Sequence, residues 1–85
     1  MLNRKEILRS IENELVRAYE KHGSAQWGRH EFYAILKEEV DEAWDNIKTD
    51  DDQQKLTKEI LQIACVCIRY LETGDKYRES NNAGL

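Results

Sequence analysis

Five carboxylates, Glu38, Glu39, Asp41, Glu42 and Asp45, are interleaved with Ile35, Val40, Ala43, Trp44 and Ile47 in the stretch FYAILKEEVDEAWDNI, residues 32–47. Such a pattern suits either a solvated acidic face on an amphipathic helix or a site that holds cations. Projected at about 100° per residue, Phe32, Leu36, Val40, Ala43, Trp44 and Ile47 make one broad apolar face. Glu38, Glu42 and Asp45 lie opposite it, and Glu39 falls on the shoulder beside Phe32. Ile35 projects into the acidic side, which is odd for a face meant only for water. Like charges three or four residues apart also cost roughly a few tenths of a kcal/mol each unless a cation offsets them.

A second carboxylate position carries more information. In the segment around LQIACVCIRYLE the apolar sector covers well over half the helix circumference, from Val66 through Tyr70, Ile63, Leu56, Cys67, Ile60, Leu71 and Ala64 to Ile68 and Leu61. Glu59 falls inside that sector, whereas Lys55, Lys58, Gln62, Arg69 and Glu72 form the polar remainder. A lone carboxylate on an apolar face is costly unless it is paired, protonated or bound to metal. One reading gives Glu59 a Lys or Arg partner from another helix. The other brings Glu39 and Glu42 to face Glu59 across an antiparallel helix pair, an oxygen set suited to a hard ion such as Mg²⁺.

The elements that position these residues are helical. Asn3 followed by Glu6 is a capping pattern, and Ile7, Leu8, Ile11, Leu15, Ala18 and Tyr19 recur at helical spacing up to Gly23. After the connector GSAQWG, Gly28 starts a second helix with Glu31 in its first turn. The acidic KTDDDQQ makes a turn whose charges suit a helix N-terminus, and a third periodic segment runs on to Gly74. The expectation is an all-α bundle of three main helices, about 3–22, 29–48 and 52–72, in a single helical domain over residues 1–77. Residues 78–85 lose the periodicity and are expected to form a flexible tail.

At 85 residues a single core is marginal, so a homodimer or homotetramer that completes a larger bundle is expected. A net charge of −4 argues against a nucleic-acid polymer as partner, since phosphate neutralisation needs a basic surface. No long apolar run or leader-like segment is visible, so a soluble, cytoplasmic protein with no membrane partner is expected. Cys65 and Cys67 lack the second pair a zinc site needs and read as small buried thiols in a reducing compartment.

The pattern Glu38-Glu39-x-x-Glu42 followed by Glu59 resembles the MazG-like superfamily of all-α nucleoside triphosphate pyrophosphohydrolases. Their signature is E-E-x-x-E on one helix and E-x-x-D on the next. The contexts AILKEEVDEAWDNI and KEILQIACVCIRYLE, and the connector AQWG, extend the likeness over residues 25–72. The resemblance implies that Glu38, Glu39, Glu42 and Glu59 hold Mg²⁺, with Mn²⁺ as an alternative ion, or orient the attacking water. It implies a nucleoside triphosphate as substrate and pyrophosphate plus a nucleoside monophosphate as products. The family's second motif places Asp where this chain has Gln62, an amide that can offer its oxygen to a metal or order a water but brings no charge and cannot be a base. A non-catalytic helical oligomer with a degenerate site, acting as a binding or structural module, is the alternative.

Around that site, Lys37, Lys55, Lys58 and Arg69 are candidates for phosphate contact, against the simpler reading of solvated helix charges. Trp27 is a candidate for stacking on a base, against a hydrophobic plug over the helix ends. His30 reads as a surface or capping residue and His22 as a packing residue on the first helix.

Overall fold

The computed structural model describes residues 2–74; the expected tail at 78–85 and the domain end at residue 77 lie outside the described residues. Three helices follow in order, α1 (Arg4–His22), α2 (Arg29–Lys48) and α3 (Gln53–Thr73), with no strand among the described residues. Each end has a local cause. The Asn3 side chain accepts from the Glu6 N–H at 2.9 Å, and α1 stops at Gly23, whose φ of 70° and ψ of −159° suit a residue without Cβ. α2 opens at Gly28, whose N–H donates to the Glu31 carboxylate at 3.2 Å, and closes as Thr49 donates through both N–H and hydroxyl to the Asp45 carbonyl. Asp50 turns the chain in the left-handed region (φ 53°), and Asp52 caps α3 by accepting from the Gln54 N–H at 2.9 Å.

α3 is the central element and packs against both α1 and α2. Phe32 stacks on Tyr70 with ring centroids 4.2 Å apart, while Glu42 meets Glu59 near the other end, so α2 and α3 run antiparallel. Glu14 meets Gln62 and Tyr19 meets Glu72, which sets α1 parallel to α3. The connector 23–28 folds back over the end of α3. Its Ala25 N–H donates to Thr73 Oγ1 at 2.9 Å and its Gln26 N–H to the Thr73 carbonyl at 3.2 Å, with Gln26 itself at positive φ.

The face that α2 turns to α3 differs from the apolar face projected from the sequence. Phe32, Ile35, Leu36, Glu39, Ala43 and Asn46 are the buried or half-buried positions, and Ile35 is thereby accounted for as an inward residue. Val40, Trp44 and Ile47 stay 45%, 54% and 51% exposed. The reason is angular: the two stripes sit about 100° apart on α2, and one neighbouring helix covers only one of them. On α3, Ile60 and Leu71 are likewise exposed, while Gln62, Cys65 and Arg69 make contacts to α1 and Ile60 borders a groove with Leu2 and Ile7. Only Ala43, Cys65 and Val66 are buried apolar residues among those described, a small core for three helices. No helix of the described residues is long and apolar enough to cross a membrane.

Candidate metal centre

Glu39 and Glu42 lie three residues apart on α2, and the antiparallel pairing places Glu59 of α3 against them. One carboxylate oxygen from each of the three lies within 4.8 Å of the others. Glu39 and Glu59 are half-buried and Glu42 is exposed, so the group opens to solvent on one side. Of Glu59, Oε2 is buried and has no hydrogen-bond partner. Among the described residues, what faces Glu59 is a pair of carboxylates, Glu39 and Glu42.

The electrostatic consequence is mutual. Burial, followed by the charges of Glu42 and Glu38, pushes the Glu39 carboxyl above its ordinary value, against an opposing hydrogen bond from Glu59. The Glu42 carboxyl is pushed up first by its hydrogen bond with Glu59, then by burial and by the Glu59, Glu38 and Asp45 charges. A proton on Glu39 or Glu42 relieves part of the repulsion, and a divalent cation would relieve more of it. Hard oxygen donors, a buried acceptor with nothing to accept from, and an open side make a donor set that fits Mg²⁺ or Mn²⁺.

The other sequence candidates are placed apart from this group. Glu38 is exposed on α2, and its charge acts on Glu39 and Glu42. Lys37 is ion-paired with Asp41 at 2.8 Å, and that hydrogen bond raises its proton affinity. Lys55 lies 3.5 Å from Asp51, whose carboxyl is lowered chiefly by the Asp52 backbone N–H. Gln62, half-buried one turn beyond Glu59, donates through Nε2 to Glu14 of α1 at 2.9 Å. Trp27 is half-buried, and its ring receives the Arg69 guanidinium 4.9 Å from the centroid, so this face is engaged by the protein itself. His22 and His30 are both exposed, so the packing role expected of His22 is absent.

Arg69 departs from its expected polar face, and Glu14 makes a contact for which the sequence carried no expectation. Arg69, expected on a solvated polar face, is 8% exposed, lies between the Trp27 and Tyr19 rings, and leaves Nε buried without a hydrogen-bond partner. Tyr19 in turn donates to Glu72 at 2.8 Å; burial first and that bond second raise its proton affinity. A signal existed in the spacing of Gln62, Cys65 and Arg69, three and four residues apart, which marks a mixed polar seam rather than a solvent face. Glu14 interrupts the α1 stripe between Ile11 and Leu15 in the same way. No protein-family model, no curated protein and no solved structure matches this chain.

Proposed function

We propose that this chain is a Mg²⁺-dependent nucleoside triphosphate pyrophosphohydrolase of the MazG-like type. The observation that carries the reading is the convergence of Glu39, Glu42 and Glu59 within 4.8 Å around an unpartnered buried oxygen. It joins the two halves of the resemblance, which lie on different helices. Glu39, Glu42 and Glu59 hold the cation, and Glu38 adds its charge from the rim. The bound ion supplies positive charge against the triphosphate and lowers the cost of deprotonating a water. A carboxylate oxygen of this group that is not taken up by the ion would accept that proton as the water oxygen bonds to phosphorus and pyrophosphate leaves. Gln62 contributes an amide rather than a charge. Lys37 and Lys55, already paired with Asp41 and Asp51, serve as exchangeable surface cations for the phosphates rather than as a built clamp.

The working unit is a homo-oligomer. Tyr33, Val40, Trp44 and Ile47 on α2 and Ile60 and Leu71 on α3 are exposed. In an antiparallel pair both stripes project to the same side of the hairpin, where Ile60 also borders a groove with Leu2 and Ile7 at the start of α1. Two such faces packed together complete a four-helix bundle and supply the core that a single copy lacks.

The test is pyrophosphate release from a panel of ribo- and deoxynucleoside triphosphates, with Mg²⁺, Mn²⁺ or chelator. Metal-dependent release, lost in Glu39→Gln and Glu59→Gln, is expected. The second reading, a non-catalytic helical oligomer, is favoured by one observation: Gln62 brings no charge and its amide is already engaged by Glu14. Under that reading the folded oligomer releases no pyrophosphate, and millimolar Mg²⁺ leaves its thermal midpoint unchanged.

A further inference from the structure

We propose that a groove between the N-terminal halves of α1 and α3 receives the Trp44 indole of a second copy of the chain, each copy filling the other's groove. The inference rests on the homo-oligomer of the reading above and names the contact that holds it; the carboxylates play no part in it. The groove has a volume of about 820 Å³, inside the range of roughly 300–1,000 Å³ in which proteins hold drug-sized groups. Leu2 and Ile7 at the start of α1 and Ile60 and Leu61 of α3 form its apolar walls, and Gln54 and Thr57 lie on its polar edge. An indole suits such a lining: its body is apolar, and its one N–H needs an acceptor, which the Gln54 amide or the Thr57 hydroxyl can supply.

Trp44 stands in the middle of the uncovered α2 stripe, with Val40 and Ile47 about one turn to either side. That is the spacing at which a helix presents anchors to a groove. Because α2 and α3 run antiparallel and Glu42 meets Glu59, Trp44 is level with Thr57 along the bundle. Around α3, Ile60 looks outward between Glu59, which meets α2, and Thr57, which borders the groove. Trp44 and the groove therefore flank Ile60 on one face and at one height. A two-fold axis running along the helices exchanges left and right and keeps height, so it lays each Trp44 over the partner's groove. The area fits a second copy. About half in water, the stripes and groove walls offer roughly 400–600 Å² of apolar surface, the apolar share of the ~800 Å² that one partner brings to a stable dimer. The chain beyond α3 is a poorer occupant. Tyr77 follows Gly74 by about 10 Å of extended chain, whereas roughly 25 Å of α3 separates Gly74 from Thr57. Leu85 is the one other large apolar residue of that segment.

Sedimentation equilibrium of the full chain tests the contact, for wild type, W44K, T57E and an equimolar mixture of the two variants, with circular dichroism to check that each is folded. W44K is expected to weaken self-association about thirtyfold or more, the loss typical of a tryptophan at the centre of an interface, and T57E about tenfold or more. In the mixed dimer one groove keeps its native tryptophan and the other sets a lysine against a glutamate. The mixture should therefore associate about tenfold more tightly than either variant alone. Independent contacts would leave the mixture between its parents, and that outcome overturns the proposal. A dimer that W44K breaks and T57E leaves intact keeps the pairing of hairpin faces but gives the groove to another occupant, residues 75–85 or a different protein, and overturns the proposal alone. A wild type that is monomeric throughout removes the homo-oligomer and the proposal together. Should T57E not fold, Q54E on the exposed edge of the groove takes its place in the same mixture, with the same outcomes.

Discussion

Glu39 and Glu42 hold protons more tightly in the folded chain than the ordinary glutamate value of 4.5 allows. The folded state therefore binds more protons than the unfolded one between pH 4.5 and the raised values, and stability grows as pH falls through that window. The electrostatic penalty is fully present above the raised values and gone below 4.5. Asp51 works in the opposite sense, since its lowered carboxyl stabilises the fold above its ordinary 3.8, a contribution lost as pH falls through its folded value. A thermal midpoint measured without metal is thus expected to rise on acidification from neutrality toward pH 4.5 and to fall below 3.8. Glu59→Gln removes one of the three converging charges and flattens the rise; an undiminished rise in that variant would place its origin elsewhere. Millimolar Mg²⁺ does the same in wild type by replacing the protons. Burial likewise raises the Cys65 thiol, with the Glu14 charge adding to it, which keeps this cysteine in its unreactive form.

At the scale of elements, the connector 23–28 and the end of α3 work as one unit. Thr73 Oγ1 accepts from the Ala25 N–H and donates to the Arg69 carbonyl at 3.1 Å, while Arg69 carries Trp27 over its guanidinium. The arrangement fixes where α2 begins and hence the register at which Glu39 and Glu42 meet Glu59. Thr73→Val keeps the shape, but it strands the Ala25 N–H in a half-buried place, at a cost of about 1–2 kcal/mol. Thr73→Ser keeps the hydroxyl and should stay much closer to wild type. Urea unfolding of the two variants checks this, and equal midpoints would show that the hydroxyl carries no weight. Gly74, next in the chain, has no room for a side chain, since a Cβ there would lie 2.8 Å from the Tyr70 carbonyl oxygen.

For the whole molecule the decisive feature is the mismatch between apolar surface and core. Among the described residues, three buried apolar side chains, none of them fully enclosed, stand against the exposed Val40, Trp44, Ile47, Ile60 and Leu71. These side chains are about half in water, which forgoes roughly half of the 1.5–3 kcal/mol that full burial of each contributes. Pairing two α2–α3 hairpins through this face recovers that energy and leaves the carboxylate groove, on the other side of the hairpin, open. Trp44→Glu places a charge at the middle of the stripe without touching the contacts to α3. Light scattering is expected to show the wild type as a dimer or larger and this variant as a monomer of reduced thermal stability. A variant that stays dimeric would move the interface to another face.

The three helices were legible in the residues themselves, because periodicity, the cap Asn3, the acidic turn before α3 and the stops at Gly23 and Gly74 act locally; that Asp52 is the cap of α3 came from the structure. So was the anomaly of Glu59, since an acid within an apolar sector is a one-dimensional signal. What covers each helix was not legible. α2 carries two hydrophobic stripes, and only the position of α3 decides that Ile35 and Glu39 turn inward while Val40 and Trp44 stay out. Arg69 looked solvated because its partners, Tyr19 and Trp27, come from fifty and forty-two positions away. Glu39 and Glu42 facing Glu59 was one of two readings the sequence left open; tertiary packing decides it and sets Glu14 against Gln62, because the spacing of helices along the chain says nothing of their rotation about their own axes.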